Sequence, residues 1–169
     1  MEVRRISPQD LDSFYALFGE VSAEGKYSAR AVPPPKDAVS HGLKKAEENN
    51  WPVYVVEDDG IIVGSAEAYP ESFCSVGGDS RIAILGMQVK QSHRRRGYGE
   101  ALLSAVVAHC KSLDFKAIDL SVLKSNEAAR HLYKKTGFVW VEDSPTCTLP
   151  NGQEDQPEKM RLVLQPIDR

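Results

Sequence analysis

Arg94-Arg95-Arg96-Gly97-Tyr98-Gly99 is the stretch of this chain best equipped for chemistry. Glycines let a backbone come close to a bound group, and arginines offer forked donors that match phosphate oxygens. Before it lies Ile82-Ala83-Ile84-Leu85-Gly86-Met87-Gln88-Val89, which reads as a strand; after it, Glu100-Ala101-Leu102-Leu103-Ser104-Ala105-Val106-Val107 reads as a helix. A helix that opens from a glycine turn leaves its first N–H groups unpaired, and its dipole favours negative charge there. The predicted task is to hold a diphosphate. Two nucleotide versions fail. A P-loop needs Lys and then Ser or Thr after its last glycine, where this chain has Glu100 and Ala101. A dinucleotide fingerprint needs a third glycine where Leu102 stands.

The elements that must position this turn follow from periodicity and punctuation. Glu2 to Ile6 reads as a strand, and Ser7-Pro8 opens a helix over Asp10 to Phe18 with Leu11, Phe14, Tyr15 and Phe18 on one face. Residues 19–36, with Gly19, Gly25 and Pro33-Pro34-Pro35, read as loop. A helix from Asp37 to Asn49 precedes a hairpin, Val53 to Val56 and Ile61 to Tyr69, turned by Glu57-Asp58-Asp59-Gly60. A loop with Gly77-Gly78-Asp79 leads into the strand before the glycine turn, and the helix after the turn ends near Ser112. Ala117 to Val122 is a strand, Asn126 to Thr136 a helix stopped by Gly137, and Phe138 to Glu142 and Lys159 to Leu164 are closing strands. The expectation is a single α/β domain over residues 1–169 with an extended, mostly antiparallel sheet.

Composition is consistent with that. A chain of 169 residues, 41% hydrophobic and 27% charged, can bury a core as one soluble domain. No apolar run approaches a membrane span, and the N-terminus lacks a secretory stretch, so no membrane partner and a cytoplasmic location are expected. Cys74, Cys110 and Cys147 are odd in number and widely spaced, as suits reduced thiols. The net charge of −3 argues against a general nucleic-acid binder, leaving residues 94–96 as a local basic patch. His93 and His131 sit beside basic residues, and His41 and His109 lack partners at ligand spacing, so no metal is expected.

The turn, with Leu85, Met87 and Val89 before it, resembles the Arg/Gln-x-x-Gly-x-Gly/Ala signature of the GNAT superfamily of acyl-CoA-dependent N-acetyltransferases. A second motif in the right order strengthens the resemblance. Leu120 to Phe138 looks like that family's strand, Asn-x-x-Ala helix and Tyr-x-x-x-Gly-Phe ending, with Asn126, Ala129, Tyr133, Gly137 and Phe138 in place. Ile62-Val63-Gly64 fits the family's third strand more weakly, and residues 19–36 and 143–158 match no motif. The resemblance implies an α/β (α+β) fold: a mixed, mostly antiparallel sheet of about six to seven strands flanked by about four helices. It implies acetyl-CoA as cosubstrate and an amine as acceptor, with relatives often dimerising through their C-terminal strands.

What the resemblance implies for individual residues stands beside a plainer account of each. The backbone N–H groups of Arg95, Arg96, Gly97, Tyr98, Gly99 and Glu100 would hold the coenzyme pyrophosphate, with Arg94 as leading side chain and a neighbouring arginine on the 3′-phosphate; the plainer account is a solvated basic turn. Met87, Gln88 and Val89 would pair with the pantetheine arm by backbone, like an added strand. The N–H of Met87 or its neighbour would polarise the thioester carbonyl. Tyr133, otherwise core, would protonate the departing thiolate. Asn126 is either a helix cap or a coenzyme contact, with Ser125 competing for the cap.

Many relatives carry a Glu on the fourth strand as base, but Ile82 to Val89 holds no acid. Glu67, Tyr69, Asp79 and Asp119 remain candidates and none is assigned. The acids Glu142, Asp143, Glu154, Asp155 and Glu158 either attract a cationic acceptor or form a solvated loop. The expected function is transfer of an acetyl group to a primary amine, of a small molecule in preference to a protein N-terminus or lysine, by direct attack in a ternary complex. Neither motif offers a cysteine to carry an acyl group. The rivals are a non-catalytic acyl-CoA sensor and, more distantly, a nucleic-acid binder.

Overall fold

The computed structural model describes residues 2–27 and 32–166. Its first strand, β1 (Glu2–Arg5), is tied to the first helix by a buried carboxylate. Asp10 accepts from Arg4 Nη1 and Nη2 at 2.8 and 2.9 Å and from the Ser7 N–H at 2.8 Å. The Arg4 guanidinium holds the Asp10 carboxyl down at about 2, so the pair is ionised at neutral pH. Helix α1 (Leu11–Ala23) then buries Phe14 and Leu17. It continues through Gly19 to Ala23, so the loop expected from residue 19 is corrected there; its portion at 28–31 lies outside the described residues. Tertiary anchors outweigh the helix weakness of glycine. Glu20 pairs with Lys90 at 3.2 Å and Glu24 with Arg94 at 2.6 Å.

Helix α2 (Lys36–Asn49) stops at Asn50, whose φ of 57° is left-handed and suits asparagine. Strands β2 (Val53–Asp58) and β3 (Ile61–Pro70) form the expected hairpin, with Asp59 and Gly60 both at positive φ. A four-residue helix, α3 (Glu71–Cys74), follows; it is too short to leave a periodic signal, and the sequence reading had only a loop there. Then come β4 (Ile82–Val89), α4 (Tyr98–Ser112), β5 (Ala117–Leu123) and α5 (Glu127–Thr136). Gly137, at φ 112°, ends α5 with its N–H on the carbonyls of Tyr133 and Lys134. The chain closes with β6 (Val139–Asp143), a ribbon of β7 (Cys147–Thr148) and β8 (Glu154–Asp155), and β9 (Pro157–Val163).

The main sheet has seven strands in the order β1-β2-β3-β4-β5-β9-β6, antiparallel throughout except β4–β5. This is the mixed α/β architecture expected, with α3 as a fifth α-helix. On one face α4 buries Leu102, Leu103, Val106 and Cys110 in a core with Ala66, Ala68, Ala83, Leu85, Ile118 and Leu120. On the other, Phe14 and Leu17 of α1 pack on Val55 and Ile62, with Val39 and Leu43 of α2 at the margin.

One departure from regularity positions the site. β4 pairs with β3 along its whole length, from Ala83↔Pro70 to Val89↔Gly64. Its pairing with β5 covers only Ile82, Ala83 and Ile84 against Ala117, Ile118 and Asp119. β5 meanwhile stays with β9 to Leu123. The two halves of the sheet therefore part after Ile84, leaving the far edge of β4 without a strand partner among the described residues.

Candidate active site

The glycine turn stands at the end of β4, where the sheet has parted. Arg95 has φ 61° and Gly97 φ 83°, so the backbone folds back twice before α4 begins. The first helical bond runs from the Ala101 N–H to the Gly97 carbonyl at 3.1 Å. The six preceding N–H groups, Arg95 through Glu100, have no acceptor among the described residues. This row offers a diphosphate several unpaired donors beside the positive end of a helix.

The three arginines divide their work. Arg94 is held within the protein: its Nε donates to the Val89 carbonyl at 2.9 Å, and Nη1 and Nη2 reach Glu24 at 2.6 Å each. It fixes the turn to both β4 and the end of α1. Arg95 and Arg96 are exposed and make no ion pair among the described residues, so their guanidinium groups are available to phosphate oxygens. Glu100 pairs with Lys135 at 3.3 Å. Gly99 brings α4 against α5 and β4, since a Cβ there would lie 3.4 Å from Leu132 Cδ2 and 3.7 Å from Met87 Cε.

Backbone direction along β4 follows from one bond. The Lys90 N–H donates to Val63 O of the residue just before Gly64, at 2.7 Å. By the alternation of an antiparallel pair, Gln88 and Gly86 also face β3, while the N–H groups of Val89 and Met87 face the open edge. The Gln88 side chain is used separately, donating to Ser65 Oγ at 3.3 Å.

Tyr133 comes from α5 and is buried against Phe138, ring centroids 5.6 Å apart. Its hydroxyl has no hydrogen-bond partner among the described residues. Burial, and secondarily the nearby charge of Glu67, raises its pKa, so it stays an O–H donor. Asn126 is the cap of α5, its Oδ1 accepting from the Ala129 N–H at 3.3 Å. Ser125 does not compete for that cap, because its N–H and hydroxyl both go to Asp155.

The candidate acids separate cleanly. Asp119 is 1% exposed and accepts from Arg161 at 2.6 and 2.9 Å, with Lys159 at 3.3 Å. Asp79 binds Arg81, which holds its carboxyl at about 2. Tyr69 is pushed up by burial, and belongs to an aromatic group with Trp51 and Phe73 at 5.7 and 5.6 Å. Glu67 stands apart: its Oε2 is sealed from solvent and has no partner among the described residues. Burial pushes that carboxyl up to about 8. The acids of the 142–158 segment are not simply a solvated loop. Glu158 is 3% exposed and bound to Arg130 at 2.8 Å, and Asp143 meets Lys124 at 2.9 Å.

Two stability predictions follow. Asp119→Ala leaves Arg161 partly buried without its carboxylate and is expected to cost about 3–5 kcal/mol in urea unfolding. Glu67 acts through pH. Its folded pKa of about 8 exceeds the unfolded 4.5, so the folded state keeps a proton that the unfolded chain has lost. Its contribution is full below pH 4.5 and falls as pH rises towards 8, by on the order of a few kcal/mol. Melting temperatures should therefore fall from pH 5 to 8, with Glu67→Gln flattening that part of the profile.

Among the described residues no group of three or more His, Cys, Asp or Glu gathers as metal ligands. Nor is any described helix long and apolar enough to cross a membrane. His109, which the sequence left without a partner, joins α4 to the rest by Nε2–H on the Asn50 carbonyl at 2.9 Å and Nδ1 3.0 Å from the Tyr54 hydroxyl.

Residues 21–138 match the acetyltransferase (GNAT) family. A Bacillus subtilis protein named "Putative ribosomal protein bS18-alanine N-acetyltransferase" is 31% identical over 140 residues, covering 80% of this chain and 79% of that one. A ribosomal-protein-alanine N-acetyltransferase from Brucella melitensis superposes with a TM-score of 0.84 at 18% identity, over 96% of this chain and 99% of that one. A phosphinothricin acetyltransferase from Sinorhizobium meliloti, solved with acetyl-CoA, gives 0.82 at 20% identity, over 97% and 88%. At those identities the two structures speak for the fold.

Proposed function

The chain belongs to the GNAT family of acetyltransferases, and from that membership we propose that it moves the acetyl group of acetyl-CoA to a primary amine. The observation that carries this reading is the row of six unpaired N–H groups from Arg95 to Glu100 at the mouth of the gap between β4 and β5. The pyrophosphate sits on that row, with Arg95 or Arg96 on the 3′-phosphate. The pantetheine arm lies along the open edge of β4 as an added strand, meeting the N–H groups of Met87 and Val89. Gln88 belongs to this wall through its neighbours' backbone, and Asn126 contributes its amide nitrogen at the start of α5.

The chemistry is direct attack in a ternary complex. The amine nitrogen adds to the thioester carbonyl, whose developing oxyanion is held by the Met87 N–H. The C–S bond breaks, and Tyr133 gives its hydroxyl proton to the thiolate and regains one from the nitrogen. Arg94 does its part as a brace for the turn.

The whole chain acts as one N-acetyltransferase domain with a cytoplasmic location, and the acceptor is a small molecule. A second reading, the α-amine of a protein, is favoured by the likeness to the B. subtilis alanine N-acetyltransferase. β6 is an edge strand with Val139, Trp140 and Val141 exposed, which suits pairing with a second copy. The acceptor test is thiol release from acetyl-CoA with spermidine, tyramine, phosphinothricin and a peptide beginning with alanine. Turnover with one of them supports the enzyme reading. Tight acetyl-CoA binding with no transfer to any would favour a sensor.

A further inference from the structure

Glu67 has an environment that the fold would not choose for stability. It lies on β3 directly opposite Gly86 of β4, as a facing pair. Its side chain reaches across the strand into the space that any larger residue would fill: a Cβ at position 86 would run into Glu67 Oε1 and stand 3.2 Å from its Cδ. Its Oε2 is sealed and unpartnered. An unpaired buried carboxyl is a net cost to folding, and neutral side chains of the same size would avoid it.

Its place matters as much as its state. Gly86 is two residues beyond Ile84, where β4 and β5 part, and it adjoins Met87, whose N–H faces the open edge. The other acids on this side are already committed: Asp119 to Arg161 and Lys159, and Asp79 to Arg81. Resting on the acetyl-transfer reading above, we propose that Glu67 is the catalytic base, taking the proton from the acceptor ammonium so that the free amine can attack the thioester held at Met87.

The step balances. One N–H bond of the ammonium breaks, its electron pair stays on nitrogen, and the proton joins a Glu67 oxygen; after product leaves, that proton passes to solvent. The groups that share electrostatic reach with Glu67 are Tyr69 on β3, Cys74 on α3 and Tyr133 on α5. Glu71 of α3 acts on Cys74, while His41 of α2 stacks beyond on Phe73. Asp119 of β5 pairs with both Lys159 and Arg161 of β9. None supplies a cation to Glu67: burial by itself accounts for the rise of its pKa to about 8. The base is therefore mostly protonated at neutral pH and becomes competent as pH rises.

The test is the pH profile of kcat/KM for the wild type, Glu67→Gln, Gly86→Ala and the double variant. Acetyl-CoA is the donor and spermidine, tyramine, phosphinothricin and the alanine-initiated peptide are the acceptors. With the alkylamine acceptors the wild type should show a rising limb near pH 8, distinct from the amine's own limb at about 10; the peptide, whose α-amine titrates at about 8, reports rate only. Glu67→Gln should lose the first limb, keep the second, and fall about 10²-fold or more in kcat with acetyl-CoA affinity unchanged. Gly86→Ala meets only the flexible end of Glu67, so it should fold, displace the carboxyl and lose the same limb. The double variant should be no worse than Glu67→Gln. An active wild type matched by Glu67→Gln in rate and profile overturns this assignment alone. A wild type that transfers to none of the acceptors overturns the acetyl-transfer reading, and the base with it.

Discussion

Tyr133→Phe is expected to lower kcat by about 10²–10⁴-fold, the usual contribution of a positioned acid, while leaving acetyl-CoA affinity within about twofold. The substitution removes one oxygen and keeps the ring, so its packing against Phe138 survives. The hydroxyl has no internal hydrogen bond to lose among the described residues. A residue that served only as core would therefore give nearly unchanged kinetics. The proposed acid role rests on environment: burial keeps the phenol protonated, and Glu67 nearby reinforces that. Steady-state thiol release at saturating acetyl-CoA, with calorimetric binding as control, measures both quantities. Unchanged turnover would remove the acid.

The second large effect belongs to the turn. Gly97→Val places a β-branched residue at φ 83°, a conformation that costs such a side chain about 1–3 kcal/mol. The backbone can relieve the strain only by moving the neighbouring N–H groups of the Arg95 to Glu100 row. Loss of two charge-assisted hydrogen bonds at about 1.5–3 kcal/mol each predicts acetyl-CoA binding weaker by about 10²–10⁴-fold. Because Gly97 is exposed and the α4 core is untouched, the fold should survive with a modest drop in melting temperature. Arg95→Ala and Arg96→Ala leave that backbone intact, so they separate the arginine charges from the N–H row.

What the sequence made legible was local. The Gly97 turn, the Asp59-Gly60 hairpin and the Gly137 stop each depend on one or two residues with special backbone preferences, and each stands where expected, while Asn126, left open between cap and coenzyme contact, caps α5. What stayed hidden depends on partners distant in sequence. Gly19 reads as a helix end, yet α1 passes through it because Lys90 and Arg94 hold its last turn. Helix α3 and the β7–β8 ribbon are too short to show a period. Arg94 reads as the leading side chain of the turn, and its pairing with Glu24, far upstream, leaves no mark in the sequence.

Glu67 shows the same limit at the site. As one candidate among four it carried no distinction. Only the register that sets it opposite Gly86, and the ion pairs that occupy Asp119 and Asp79, single it out. A missing acid on β4 is therefore compatible with an intact proton acceptor on the neighbouring strand.

In the proposed function, the N–H row and the open edge of β4 form a coenzyme A donor site. Calorimetric titration of acetyl-CoA into the wild type and into Gly97→Val tests it most directly. Saturable one-to-one binding to the wild type is expected, displaced by coenzyme A and weakened at least about 10²-fold in the variant. Absence of saturable binding to the wild type, or equal affinity in the two proteins, would contradict it.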